Sequence, residues 1–247
     1  MDEQALYEAR LELVDFLVEV LHDVPEEAFV ERLLSGDVRT PDGEVNEPLD
    51  RGFDALDTFV EEHRRDDVSE VRDALEREYT RLLVGPRPPV LAHETYYRED
   101  ADYLGEGVAE VEASYGAAGW TPPEEYPEES DFVAVELAFL RWLVTKQREG
   151  RDETFGYERV FLDNHLMTWA DDAAEDIRAE TDEPLFLAAG EILAGLVEFE
   201  DEIVALGGGS SLDVAKVVSL LSADDRDPET VGRELAETGT ISPPSAP

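Results

Sequence analysis

The stretch EYTRLLVGPRPPVLAHETYY, residues 78–97, takes the chain from an amphipathic helix through a Gly-Pro stop into a proline-rich crossing and an aromatic pair. Because proline fixes φ and donates no backbone hydrogen bond, the GPRPP run ends the helix and holds an extended segment. Such a stiff, solvent-facing segment beside Tyr96 and Tyr97 can form the wall of a peptide groove. The alternative is an ordinary interhelical loop, because most loops only connect.

Upstream of this stretch, apolar residues recur at helical spacing. The first helix is predicted to stop before Pro25, and a short second helix to run from Pro25 to Gly36. Asn46 is a good N-cap for a third helix, and a fourth is predicted to end at Gly85. Since no segment of the chain shows sustained period-2 alternation with turn punctuation, the sequence predicts an all-α fold.

Downstream, Gly119 closes a short helix, and Ser130 is predicted to cap a helix that is apolar around much of its circumference and therefore central. Further apolar residues between 157 and 169 follow, and Pro184 opens a long last helix. The whole is predicted to be a single helical bundle of about eight to ten helices.

The predicted helical domain covers residues 1–206, with a possible subdomain hinge near the proline-rich, acidic residues 121–130. Residues 207–247 begin with GGGSS and end with ISPPSAP. We expect them to form a flexible C-terminal appendix of linker, short helix and disordered tail.

The composition is extremely acidic, with 62 acidic against 20 basic residues and a formal net charge of -42. The hydrophobic content of 42% is too high for a disordered acidic chain, so we expect a folded protein with an acidic surface. Such surfaces are typical of proteins adapted to molar salt, where the Debye length is about 3 Å. Nucleic acid is excluded as a partner because little positive charge is available to neutralise phosphates.

The absence of cysteine excludes disulfides, thiolate nucleophiles and zinc-cysteine sites. No signal peptide is visible, and no apolar run approaches the length of a membrane span. We therefore expect a cytoplasmic protein without an integral membrane segment.

A competing signal is IVALGGGSSLDVAK, residues 203–216, which looks like the phosphate-binding turn of iron-dependent alcohol and glycerol dehydrogenases. It indicates an alternative function as a nucleotide-binding, dehydrogenase-like fragment. The context does not fit, because no alternating βα units surround it. A linker followed by a helix fits better.

No catalytic residue, cofactor site or metal site is predicted elsewhere. The HETYY sequence has Tyr97 where a zinc-peptidase motif needs its second histidine. His165 and Trp169 share one helix face and are expected to be packed in the core. Asp131 and Glu136 can be interpreted as an acid/base pair, but no nucleophile accompanies them.

Four motifs in order carry a family resemblance. The E-Y-x-R-L-L-x-G-P helix end with E-T-x-Y after it, YGAAGW (115–120), ESDFVAVELAFL (129–140) and FLDNHLMTWADD (161–172) resemble the TorD/DmsD family of maturation chaperones for molybdenum-containing oxidoreductases. The resemblance covers approximately residues 5–205. One departure is Ser130-Asp131-Phe132, where the family has Pro-Asp-His.

The resemblance implies a non-enzymatic chaperone that binds the twin-arginine signal peptide, the apo-catalytic subunit of a molybdopterin oxidoreductase, or both, as a monomer or homodimer. Carboxylates would accept the arginine N–H groups, and apolar side chains would form the groove. The predicted peptide-binding residues are Tyr79, Leu82, Pro86, Pro89, Glu94, Tyr96, Asp131, Phe132 and Glu136. A generic acidic interaction scaffold is the remaining alternative.

Overall fold

The computed structural model describes residues 3–36, 38, 40, 44–98, 105–124, 126 and 129–207, and within them the secondary structure is helical. The extended pairing in these residues is an isolated antiparallel bridge between His93 and Phe132. The all-α prediction is therefore confirmed. The predicted appendix after Gly207 lies outside the described residues.

The first half of the chain is a series of helices separated by short connections. They are α1 (Glu3–His22), α2 (Glu27–Ser35), α3 (Glu47–His63), α4 (Val68–Tyr79), α5 (Glu94–Tyr97) and α6 (Glu106–Ala118). Asn46 caps α3 as predicted, since its Oδ1 accepts a hydrogen bond from the Leu49 N–H at 2.9 Å. The fourth helix does not run as one α-helix to Gly85, because the π-helical turn Thr80–Val84 follows α4.

The second half contains α7 (Val133–Arg148), α8 (Thr154–Phe161), the π-helical turn Leu162–Leu166, α9 (Met167–Glu180) and α10 (Pro184–Gly207). Pro184 begins the last helix, as predicted. Ser130 does not cap α7: Phe132 is the N-cap residue, without a side-chain cap bond. The Ser130 hydroxyl instead donates to a Glu112 carboxylate oxygen at 3.0 Å.

Helix α7 lies at the centre of the bundle, with every residue from Val133 to Leu140 buried. It packs against α1, and α10 packs against α3, α9 and α1. The hydrophobic core contains side chains from both sides of the predicted hinge, including Val111 and Phe139. None of the described helices is both long and apolar enough to cross a membrane.

A fully buried ionic cluster ties α1 to the second half. The Arg10 guanidinium pairs with Glu158 at 2.6 Å and with Glu200 at 2.5 Å, and it donates to Gln147 Oε1 at 2.8 Å. Burial raises the pKa of Glu158 to about 8, although Arg10 opposes the shift. Because each member would be costly to bury alone, the cluster requires α1, α7, α8 and α10 to pack in one arrangement.

Two glycines allow α3 and α10 to approach closely. A Cβ atom at Gly195 would lie 2.6 Å from the backbone nitrogen of Leu49, and one at Gly52 would lie 2.6 Å from a side-chain atom of Ile192. Since backbone atoms cannot move aside cheaply, the tight contact at Gly195 constrains how α10 lies on α3.

We expect Gly195→Ala to lower the free energy of unfolding by about 1–2 kcal/mol. The destabilisation from overpacking should exceed the stabilisation that alanine gives through its higher helix propensity. The measurement is urea unfolding at one fixed KCl concentration. Gly116→Ala in α6 is the matched control, since a Cβ there meets nothing within 4 Å. It should stabilise by about 0.5–1 kcal/mol. Equal gains from both variants would contradict the close α3–α10 contact.

Candidate functional site

The proline-rich segment 85–93, which we name the crossing segment, connects the π-helical turn Thr80–Val84 to α5. Val90 and Ala92 are buried and attach it to the core, and the Val90 N–H donates to the Leu82 carbonyl at 3.2 Å. Other apolar side chains of this segment, and of the elements on either side of it, are exposed to solvent. Those exposed side chains, which we name the crossing surface, are Val84, Pro86, Leu91 and Tyr96.

Backbone hydrogen bonds fix the end of this segment to the start of α7. The Val133 N–H donates to the Ala92 carbonyl at 2.9 Å, and the Glu94 N–H donates to the Asp131 carbonyl at 3.0 Å. Between these bonds, the His93 and Phe132 rings lie with centroids 5.2 Å apart. The crossing surface is therefore held at a defined position relative to the central helix.

The Asp131 carboxylate reinforces this connection. Its Oδ2 accepts hydrogen bonds from the Thr95 hydroxyl at 2.6 Å and the Thr95 N–H at 3.2 Å. Its Oδ1 lies 3.1 Å from His93 Nδ1. Burial alone would raise the pKa of Asp131, but the hydrogen bonds from His93 and Thr95 outweigh it and hold the pKa below its usual value. His93 thus supplies an imidazole partner to Asp131 from the crossing segment.

The fully buried Glu94 connects α5 to the neighbouring elements. Its Oε2 lies 2.9 Å from His165 Nδ1, and its Oε1 pairs with Arg98 at 2.7 Å. His165 Nε2 lies 2.8 Å from the Ser114 hydroxyl on α6. Arg98 also pairs with Glu110 at 3.1 Å. The predicted core role of His165 is confirmed, with hydrogen bonds on both ring nitrogens.

Glu136 is a second buried acid in this region. Trp169 Nε1 donates to its Oε2 at 3.3 Å, whereas its Oε1 has no hydrogen-bond partner as a carboxylate. Burial raises the pKa of Glu136 well above its usual value, and the nearby Glu94 adds to the shift. In its neutral form Glu136 can donate a hydrogen bond to the Glu94 carboxylate. Two ionised carboxylates cannot form this bond, because neither carries a proton.

The structure separates the predicted peptide-binding residues into two groups. Pro86 and Tyr96 are exposed and Pro89 is half-buried. The other six are buried, namely Tyr79, Leu82, Glu94, Asp131, Phe132 and Glu136. The Tyr79 hydroxyl, for instance, donates to the His22 carbonyl at 2.8 Å. As peptide contacts all nine stay predictions, but only the first group meets solvent to a substantial extent.

Val84 and Leu91, which are 60% and 36% exposed, were not among the predicted peptide-binding residues. Their position in the sequence could have indicated this exposure. Both are apolar residues that flank the helix-breaking prolines, where an amphipathic pattern no longer assigns a buried face. His93 and Arg98 were also missed as partners of Asp131 and Glu94. Those pairs depend on tertiary contacts.

The dehydrogenase-like alternative required a strand before its glycine turn. Residues 203–207 are instead the last residues of α10, whose 24 residues run without interruption to Gly207. The rest of that motif lies outside the described residues. Without the strand, the helix N-terminus that binds pyrophosphate in such enzymes lacks its usual support.

A comparison with protein families decides the assignment. A sequence model described as nitrate reductase delta subunit matches residues 42–175, more than half of the chain. The chain belongs to this family. The nitrate reductase delta subunit family comprises maturation chaperones for molybdoenzymes, in agreement with the TorD/DmsD resemblance. The match includes the crossing segment, α7 and the His165–Trp169 face. None of the curated proteins compared with the chain matches it.

As a chaperone family, the nitrate reductase delta subunit family suggests a role in binding rather than catalysis. The buried polar groups of this site fit such a role, because they bond to each other across elements. Asp131 accepts a hydrogen bond from Thr95 of α5, and Glu94 of α5 bonds to His165. Their common effect is to hold α5 and the crossing surface against α6, the start of α7 and the π-helical turn Leu162–Leu166.

The buried Glu136 gives a testable pH dependence. The folded protein keeps a proton on Glu136 at pH values where the unfolded chain has lost it. The free energy of unfolding therefore falls as pH rises from the ordinary glutamate pKa toward the raised one. Glu136→Gln cannot ionise, so relative to the parent it should gain up to about 1.4 kcal/mol per pH unit over that interval.

Urea unfolding of parent and variant from about pH 5 to pH 8 measures this gain. Glu61→Gln, at an exposed position of α3, is the control and should follow the parent curve at all pH values. If Glu136→Gln also ran parallel to the parent, the protonated, buried state of Glu136 would be wrong.

Proposed function

We propose that the chain binds the twin-arginine signal peptide, the apo form, or both, of a molybdoenzyme of the DMSO, TMAO or nitrate reductase type during cofactor insertion, before export or assembly. The observation that supports this most is the crossing surface. In a chain of a molybdoenzyme chaperone family, it presents exposed apolar side chains on a segment that is anchored at its far end.

The crossing surface suits the apolar part of a signal peptide. Tyr96 is 58% exposed, and its ring stands edge-on to Tyr97 with centroids 5.0 Å apart. The Tyr97 ring stacks on the buried Trp169 at 5.7 Å. This series of aromatic rings gives the exposed tyrosine a rigid support, so little side-chain entropy is lost when a peptide packs against it.

Hydrophobic burial supplies most of the affinity in this proposal. Burying three or four leucine-like side chains contributes on the order of 5–10 kcal/mol before ordering costs. Ion pairs contribute less, because molar salt screens exposed charges. At molar salt the acidic residues act only at short range, where charge-assisted hydrogen bonds favour a peptide with an arginine pair at its start.

The predicted acids act mainly through the shape of the site. Glu94 and Asp131 are fully buried, and their oxygens already accept hydrogen bonds from Arg98, Thr95 and other groups. In the described conformation they hold the crossing segment, and direct contact with arginines requires the segment to open. Leu82 and Phe132 support the segment through the Val90 N–H bond and the His93 ring contact, whereas the Tyr79 hydroxyl donates to the end of α1.

The direct test is binding of the purified chain to a signal peptide from a molybdoenzyme precursor of the same genome. We expect Tyr96→Asp to weaken the complex at least about tenfold, because a charge replaces an apolar anchor. Tyr157→Asp is the matched control, since Tyr157 is also exposed, on α8, outside the crossing surface. Equal losses from both variants, or none from Tyr96→Asp, would refute the assignment and leave a generic acidic scaffold.

The salt dependence of the same complex tests its driving force. The affinity should persist or increase as KCl rises from about 0.5 to about 3 M, because salt screens ion pairs but strengthens apolar burial. Isothermal titration calorimetry at several KCl concentrations gives the trend. A steep loss of affinity over this range would show that charge pairs, and not the crossing surface, hold the peptide.

A further inference from the structure

Three side chains with metal-ligand chemistry converge where the crossing segment meets the start of α7. One ligand atom from each of His93, Glu129 and Asp131 lies within 4.8 Å of the other two. We propose that these three residues bind one divalent transition-metal ion. This site does not depend on peptide binding and stands apart from the proposed function.

The separation of the two inner ligands fits a shared ion. His93 Nδ1 and Asp131 Oδ1 are 3.1 Å apart. Two ligands that each lie about 2.1 Å from one metal ion are about 3.0–3.4 Å apart for angles between square and tetrahedral. The spacing of these atoms therefore needs no change when an ion replaces the proton, and only the angle of the imidazole must adjust.

The surroundings fix both inner ligands in place. Thr95 holds Asp131 Oδ2 through two hydrogen bonds, which orients Oδ1 toward His93. The Phe132 ring packs beside the imidazole. Groups of this kind around a metal ligand raise affinity by orienting it. The entropy cost of ordering is then confined mainly to the third ligand.

Glu129 completes the set from the surface. Its side chain is exposed, and its carbonyl accepts the Phe132 N–H at 3.0 Å, which fixes the turn that carries both acids. The His93 side chain is 30% exposed, so an ion can enter from solvent. The HETYY motif gave no indication of this site, because the two carboxylate ligands come from a segment more than 30 residues away.

The donor set identifies the class of ion. One imidazole nitrogen and two carboxylates suit Zn²⁺ or a similar transition ion, with water in the remaining positions. Calcium prefers six to eight oxygen ligands, and magnesium retains most of its water. Bound metal would join the end of the crossing segment to the segment before α7 and neutralise two neighbouring carboxylates.

The test uses the full chain after chelation, at neutral pH and in about 2 M KCl so that weak binding to surface acids is screened. Zn²⁺ is titrated by calorimetry, and Co²⁺ by its visible absorption. We expect one saturable ion per chain, and an affinity at least about tenfold lower in His93→Asn and in Glu129→Gln. Because Glu129 is exposed, its variant tests the site even if His93→Asn fails to fold.

His63→Asn is the matched control. His63 Nδ1 lies 2.9 Å from Asp66 Oδ2, a similar histidine–aspartate pair, but no group of three candidate ligands includes it among the described residues. This variant should bind Zn²⁺ like the parent. The proposal is overturned if Zn²⁺ binding is not saturable, if Glu129→Gln binds as tightly as the parent, or if Ca²⁺ binds as tightly as Zn²⁺.

Discussion

The backbone connection between residues 92–94 and 131–133 positions everything that we assign to function. Prolines cannot donate hydrogen bonds, so the crossing segment cannot form a helix or sheet of its own. Val133 and Glu94 supply the N–H groups that join it to the start of α7. Since every residue of α7 from Val133 to Leu140 is buried, the crossing surface takes its position from the core.

Several acids lie inside this chain although its surface is already acidic, and two of them are at this connection. Glu94 and Asp131 are fully buried, yet each receives hydrogen bonds from groups on neighbouring elements. At another helix junction, Arg10 likewise pairs with the buried acids Glu158 and Glu200. A buried charge that is paired is costly to separate. Such pairs favour one helix arrangement over others that would bury as much apolar surface.

The sequence predicted the features that depend on neighbouring residues. The Asn46 cap, the glycine at Gly119 and the start of α10 at Pro184 follow from local backbone chemistry. Ser130 was assigned wrongly because Glu112, which is distant in sequence, binds its hydroxyl. The burial of the Asp131 and Glu136 side chains also could not be predicted, since helical spacing does not reveal which neighbours cover a polar side chain.

Site-specific photo-crosslinking tests most directly whether the crossing surface contacts the client. A photoreactive residue at Leu91 would be compared with one at Val160, which is 51% exposed on α8 and outside that surface. We expect crosslinks from position 91 to the N-terminal segment of a molybdoenzyme precursor, and none from position 160. Crosslinks from position 160 alone would contradict it.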